Sequence, residues 1–192
     1  MTDINKKNAS IIISASWIFT SNSADQLLSD YSIVIKGNQI IDLVHQSKVF
    51  DEYDAEEIYQ LTDHILIPGL INTHTHAAMS LFKGFSDDLP LQDWLNNYIW
   101  PAEKKFVNSS FVKDGSMLAL SEMIKAGVTT FNDMYFYPES TAEASIELGV
   151  RSNVGLVVLD FPTNYAADPE DYLVKGFEFR DRWRNEGLIT TS

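Results

Sequence analysis

From Gly69 onward the chain alternates short apolar runs with longer segments of helical periodicity, and that alternation limits its fold more than any other feature. Asn108 or Ser109 can cap a helix whose residues Met117, Leu120 and Ile124 fall at i, i+3 and i+7, and Gly127 stops it. Val128 to Phe131 then reads as a strand. Pro138 suits a first helical position, Ala142 to Leu148 continues the helix, and Gly149 ends it before a strand-like run, Asn153 to Leu159. A further helix covers roughly Pro169 to Asn185, and Gly187 to Ser192 looks like the opening of a fourth strand. Strands separated by helices lie parallel in one sheet, because each helix carries the chain back to the edge where the next strand starts. The expected class is α/β. A complete eight-fold barrel takes about 250 residues, so the stretch from Gly69 supplies only its first half. The sequence is therefore expected to be a truncated, N-terminal piece of a longer protein.

Before Pro68 the grammar differs. Ser10 to about Leu66 is β-branched, broken by turn residues, and shows little that repeats at 3.6. Ser32 to Lys36 and Gln39 to Val44 flank Gly37 and Asn38, a pair that tolerates positive φ and suits a two-residue hairpin. The carboxylate-rich stretch Asp51 to Glu57 reads as a solvated loop or edge. The organisation expected is a small β-rich domain over 1–68 and the α/β domain over 69–192.

Composition removes several function classes. The net charge is −13 and is spread evenly on both sides of Pro68, which argues against a nucleic-acid partner held by a basic surface. The absence of cysteine removes disulfides, thiolate zinc sites and cysteine nucleophiles. The N-terminal run Met1 to Lys7 is polar, and Ile11 to Ile13 is too short for a signal-peptide core. The longest apolar run, Val154 to Leu159, falls well short of a membrane span. A soluble, cytoplasmic chain without a membrane partner is the expectation.

The residues that carry chemistry are His74 and His76. Ile65, Leu66 and Ile67 run through Pro68 and Gly69 into Leu70 and Ile71, and the strand then turns polar as Asn72, Thr73, His74, Thr75, His76. Spacing of i, i+2 on a strand points both imidazoles to one face, where two neutral rings can chelate a divalent metal. The C-terminal end of a parallel strand is also where barrel enzymes keep their active sites.

The run Ile65 to His76, following a small β-rich segment, resembles the amidohydrolase superfamily. Three stretches narrow the likeness: Leu89 to Leu95, Ile99 to Glu103 (Ile-Trp-Pro-Ala-Glu), and Glu122 to Asp133 (Glu-Met-Ile-Lys-Ala-Gly-Val-Thr-Thr-Phe-Asn-Asp). Together they are similar to the branch of 5′-methylthioadenosine/S-adenosylhomocysteine deaminases and triazine hydrolases of the N-ethylammeline chlorohydrolase type. The resemblance implies the N-terminal half of a (β/α)8 metal-dependent hydrolase barrel, preceded by part of a small β-sandwich built from both chain ends. It implies one divalent metal, zinc before others, with His74 and His76 as its first two ligands. Glu103 matches the carboxylate that binds substrate ribose hydroxyls, and Arg151 matches a substrate-contacting arginine.

By that likeness the full-length parent is an enzyme that hydrolytically deaminates an adenosine-type nucleoside by a metal-bound hydroxide. A catalytic zinc site needs three protein ligands and an open position. The histidines here are His45, His64, His74 and His76, and the family's later metal, proton-transfer and substrate residues fall beyond Ser192. No catalytic residue is therefore assigned, and the 192-residue chain is expected to be inactive alone. Asp133 and Asp160, both placed at strand ends, could reach a metal, but strand-end carboxylates more often cap the next helix. Leu81, Phe82, Phe85, Trp94, Trp100, Phe136 and Tyr137 could line a pocket or simply pack. The alternatives are hydrolysis of a triazine-like ring and a non-catalytic metal-binding fragment. The partner expected is a small-molecule substrate, a purine nucleoside or related heterocycle, and homo-oligomerisation is left open.

Overall fold

A computed structural model describes residues 6–22 and 26–192, so the polar start Met1 to Asn5 lies outside the described residues. The chain divides into two compact units between Pro68 and Gly69.

The first unit is a four-stranded sheet in the order β3-β2-β1-β4. It comprises β1 (Lys7–Phe19), β2 (Leu27–Lys36), β3 (Gln39–His45) and β4 (Tyr53–Leu66), with a short helix α1 (Gln46–Glu52) between the last two. β1, β2 and β3 pair antiparallel, and β4 joins β1 in parallel. The β2–β3 hairpin closes over Gly37 and Asn38, with Gly37 at φ +59°. On one face Ile12, Val34 and Val44 pack with Val49 of α1 and with Tyr53. The acidic stretch expected as loop or edge divides between the end of α1 and the edge strand β4, where Asp54, Glu56 and Glu57 meet solvent while Tyr53 is buried.

The second unit holds four parallel strands in sequential order: β5 (Leu70–Thr75), β6 (Val128–Met134), β7 (Arg151–Gly155) and β8 (Ile189–Thr191). A 3-10 helix, Ala77–Phe82, follows β5. Then α2 (Leu91–Trp94), a π-helical turn (Leu95–Ile99) and α3 (Trp100–Phe106) run on without a break. The return to β6 is α4 (Ser109–Lys125), capped by the Asn108 side chain accepting the Phe111 N–H at 3.0 Å and ended by Gly127 at φ +80°. Next, α5 (Pro138–Leu148) starts on its proline and ends at Gly149, φ +70°. Finally α6 (Pro169–Trp183) is capped by Asp168, which accepts the Asp171 N–H at 2.9 Å.

The helices bury one side of this sheet. Phe131 of β6 packs with Ala119 and Leu120 of α4 and Ala144 of α5, while Val154 of β7 packs with Ala142 and with Phe179 of α6. On the other side runs a polar row in which Asn153 bridges Asn132 and Ser192 and Thr190 donates back to Asn153.

One strand is shorter than its apolar run suggests. β7 stops at Gly155 rather than Leu159, because Val157 and Leu159 leave the sheet to pack on Tyr135, Phe136 and Tyr172 beyond the strand ends. They are apolar for packing, not for pairing.

Close approach at one glycine fixes how α4 sits. A Cβ on Gly115 would lie 2.4 Å from the backbone oxygen of Ala78 in the 3-10 helix after β5. In an open helix, Gly→Ala stabilises by ~0.5–1 kcal/mol. Here the sign reverses: Gly115→Ala is expected to lower stability by about 1–3 kcal/mol, as overpacked cores do. Urea unfolding curves of the two proteins measure it, and an unchanged or higher midpoint would show that the contact is not tight.

Candidate functional site

The site forms at the C-terminal ends of β5 and β6. Register pairs Thr75 with Asp133, so the residues just beyond, His76 and Met134, stand side by side. The strand alternation then sends neighbouring residues of β6 to opposite duties. Asp133 points with Phe131 into the buried helix side, and the backbone of Met134 meets His76.

His76 Nδ1 lies 2.7 Å from the Met134 carbonyl oxygen. A carbonyl can only accept, so Nδ1 carries the proton, and in the neutral ring the lone pair is on Nε2. That is the hydrogen bond that metal-binding histidines use to fix tautomer and ring direction. His74, exposed, has its ring 5.2 Å from that of His76, centroid to centroid, at an interplanar angle of 77°. Two imidazoles on one tetrahedral zinc, with bonds of about 2.0–2.1 Å, have centroids about 5 Å apart. The pair fits a shared divalent metal in spacing and, for His76, in tautomer. Among the described residues no third histidine or carboxylate joins them to complete a cluster.

Asp133 lies at a strand end, as expected, but takes neither role that the position suggests. It neither faces the histidine pair nor caps α5, whose N-terminus has no side-chain cap. It is fully buried, and its Oδ1 accepts the Ala77 N–H at 2.7 Å and lies 2.8 Å from the Thr75 hydroxyl. Thr75 and Ala77 flank His76, so one carboxylate holds the Thr75 side chain on one side of the imidazole and the Ala77 backbone on the other, while the Thr141 hydroxyl of α5 donates to its Oδ2 at 3.4 Å. Burial pushes its pKa up, against the pull of those hydrogen bonds. Asp160 lies in the exposed loop after β7 rather than at a strand end.

Glu103 on α3 reaches the same strand ends. Its Oε1 accepts the Tyr135 hydroxyl at 2.6 Å, and the Tyr135 ring stands 6.3 Å from that of His76. The carboxylate is half-buried, which raises its pKa, while Tyr135 and His76 oppose the rise. Burial and the neighbouring Glu103 carboxylate hold the Tyr135 hydroxyl protonated far above the usual tyrosine range. Glu103 is therefore not a solvated surface residue like its neighbours Lys104 and Lys105. Nothing in the local sequence announced the Tyr135 partnership, which joins residues far apart in the chain.

Arg151 is the candidate that the structure does not bring to this cluster. It is exposed and is the first residue of β7, opposite Thr130, whereas the strand end level with Met134 is Gly155. Four residues at about 3.3 Å each place it roughly 13 Å down the strand, at the end away from the histidines.

Two substitutions separate the parts Asp133 plays. Asp133→Asn keeps an oxygen for Ala77 and is expected to preserve the fold and the NMR signal of the His76 Nδ1 proton bonded to the Met134 carbonyl. Asp133→Ala orphans the Ala77 N–H, costing about 1–3 kcal/mol, and is expected to lose that proton signal. A His76 signal unchanged in Asp133→Ala would rule out the positioning role.

Comparison with known proteins gives a consistent set of likenesses. Residues 65–186 match the model of the amidohydrolase family. A 5-methylthioadenosine/S-adenosylhomocysteine deaminase of Saccharophagus degradans is 45% identical over 96% of this chain and 42% of its own length. A 5′-deoxyadenosine deaminase of Methanocaldococcus jannaschii is 48% identical over 67% of this chain and 30% of its own length. Among solved structures, an adenosine deaminase from Xanthomonas campestris with bound zinc superposes with a TM-score of 0.94 at 32% identity, over 97% of this chain and 43% of that one. A triazine hydrolase from Arthrobacter aurescens superposes with a TM-score of 0.82 at 18% identity, over 95% of this chain and 45% of that one, a likeness of fold alone. The chain thus spans less than half the length of these relatives.

Proposed function

The chain belongs to the amidohydrolase family, and from that premise we propose that it is the N-terminal part of a metal-dependent hydrolase that deaminates a 5′-substituted adenosine. In this reading β5 to β8 are the first four strands of a (β/α)8 barrel, and residues 1–68 are the N-terminal part of a composite β-sandwich. The observation that carries it is the pairing of His74 and His76 at 5.2 Å, with the His76 Nδ1 proton committed to a backbone carbonyl. The relatives' names, a deaminase of methylthioadenosine and S-adenosylhomocysteine and one of 5′-deoxyadenosine, support the substrate class.

His74 and His76 would hold a divalent metal, zinc by analogy with the zinc-bound Xanthomonas campestris deaminase. A metal held there supplies Lewis acidity, lowering the pKa of bound water to around 7. The overall reaction exchanges the exocyclic amino group of the purine for an oxygen from water and releases ammonia. This chain's own share is positional. Asp133 and the Met134 carbonyl set the turn and the ring of His76, which leaves its Nε2 with the lone pair. Glu103, with Oε1 held by Tyr135, has Oε2 to accept from a ribose hydroxyl. A carboxylate is suited to a vicinal diol because each hydrogen bond to it is charge-assisted. Tyr135 gives that carboxylate a fixed direction and, by donating to it, favours its ionised form.

The reading is tested on the complete, zinc-loaded protein. Ammonia release from 5′-methylthioadenosine is expected, with loss of both bound zinc and turnover in His76→Ala. A fully active protein free of metal would overturn it, and faster turnover of chlorotriazines would transfer the chemistry to another ring.

The diol assignment has a separate test. Removing a charged hydrogen bond costs about 1.5–3 kcal/mol, so Glu103→Gln is expected to raise KM by about ten-fold or more. Tyr135→Phe should raise it less, through a looser Glu103. Neither should change KM for a 2′,3′-dideoxy analogue, and equal losses on both substrates would remove Glu103 from the diol.

A further inference from the structure

Two histidines at i, i+2 on a strand share a face, but the spacing alone does not decide which face. In this sheet the pairing decides it. Asn72 of β5 lies opposite Phe131 of β6, and Thr75 lies opposite Asp133. Phe131 packs on α4 and α5 and Asp133 accepts from Thr141 of α5, so both face the helices, and the β5 residues opposite them take helix-facing positions. Asn72 and Thr75 accordingly line a recess against α4, together with Ala119, Met123 and Val128.

These two pairs are two residues apart on β6 and three apart on β5, where the register shifts. Between Asn72 and Thr75, β5 therefore carries one extra residue, a β-bulge. In a strand without it, Thr73 would pair with Asn132 and His74 with Asp133, and the His74 imidazole would enter the helix-facing layer. With it, His74 and His76 stand on either side of Thr75 and both turn away from the helices, with their ring centroids 5.2 Å apart. Bulges beside active sites re-aim side chains in this way.

A bulge takes backbone groups out of the ladder, and those groups need another partner. The Asn72 side chain supplies one, because its Oδ1 accepts the His74 N–H at 3.3 Å. A bond from Asn or Asp to the N–H two residues on is the local bond with which these side chains hold a turn. It accounts for an amide on the same wall as Ala119, Met123 and Val128, where packing alone would favour an apolar side chain. Asp133 holds the chain just after His76, and Asn72 holds it at His74.

We propose that Asn72 is a positioning residue for the metal centre: its side-chain oxygen closes the bulge that brings His74 onto the face of His76. The inference rests on the reading of His74 and His76 as metal ligands and adds to it the group that selects their face.

The experiment compares the complete protein with its Asn72→Asp and Asn72→Leu variants. Zinc affinity is measured by competition with a chromogenic chelator, the ring signals of His74 and His76 are followed by NMR as zinc is added, and urea unfolding reports stability. Aspartate keeps the acceptor, so Asn72→Asp should bind zinc as tightly as the parent or more tightly. Leucine removes the acceptor at similar size, so Asn72→Leu should bind about 10–100-fold more weakly, the usual cost of losing a group that orients a ligand. In that variant zinc should shift the His76 signal and leave that of His74 in place. Its urea midpoint should change little, since His74 is exposed and water can take its N–H while leucine packs beside Ala119 and Met123. Unchanged zinc affinity in Asn72→Leu, or equal losses in both variants, would overturn the role of the Asn72 oxygen. A urea midpoint that falls together with zinc affinity would make Asn72 a residue of the fold rather than of the metal centre. If zinc shifts neither histidine in the parent protein, the metal-ligand reading itself fails.

Discussion

The candidate site depends on one buried carboxylate. Asp133 carries a carboxyl group into a helix-covered interior, a placement that is costly unless hydrogen bonds compensate, and its partners are Ala77, Thr75 and Thr141. Thr75 ends β5 and Ala77 opens the 3-10 helix after it, so the interactions that make the burial tolerable also set the path of the chain through His76. One residue further on, the Met134 carbonyl fixes the tautomer of the same imidazole. Adjacent residues of one strand thus hold the backbone beside His76 and its ring. The period of two along β6 makes this arrangement available without any dedicated loop.

The same strand end extends the site outward. Tyr135 follows Met134, packs near His76 and donates to Glu103, while Phe136 and Tyr137 continue as the wall of an apolar cavity beside α3. Five consecutive residues, Asp133 to Tyr137, therefore contact the histidine turn, the α3 carboxylate and the apolar cavity in order. Tyr137 takes a left-handed conformation, φ +53°, before Pro138 starts α5. A non-glycine residue held there is uncommon. It lets the chain reverse directly from cavity wall into helix.

Much of this was legible in the residues, and the boundary of legibility has a physical cause. The hairpin at Gly37 and Asn38, the cap at Asn108, the proline start of α5 and the stop at Gly149 are all local signals, in which a residue's own backbone preference decides its structure. The histidine pair was legible for the same reason, since i, i+2 on a strand needs no knowledge of the rest of the fold. The run α2 to α3 carries no clear helical signal in the sequence. It is interrupted by a π-helical turn and carries Pro101 near the start of α3, so its apolar residues keep no single period. The end of β7 was missed because packing and pairing ask for the same apolar residues, and only the tertiary contacts of Val157 and Leu159 tell them apart.

Asp133 and Arg151 show the harder limit. The sequence places each near a strand, yet function in a parallel sheet depends on which end of the strand and which face. Asp133 sits at the same strand end as His76 but shares the face of Phe131, which turns its carboxylate to the backbone beside the imidazole. Arg151 sits at the other end of its strand, because β7 begins with it and runs on to Gly155. Parity along β6 would have given the first answer from sequence, had Phe131 been taken as facing the helices. The second needed the register of Thr130 against Arg151, which no local pattern encodes. Side-chain chemistry at a strand end becomes a functional assignment only once register and parity are fixed. In this chain the Thr75 to Asp133 pairing ties the ends of β5 and β6 together and so anchors the face on which His74 and His76 meet.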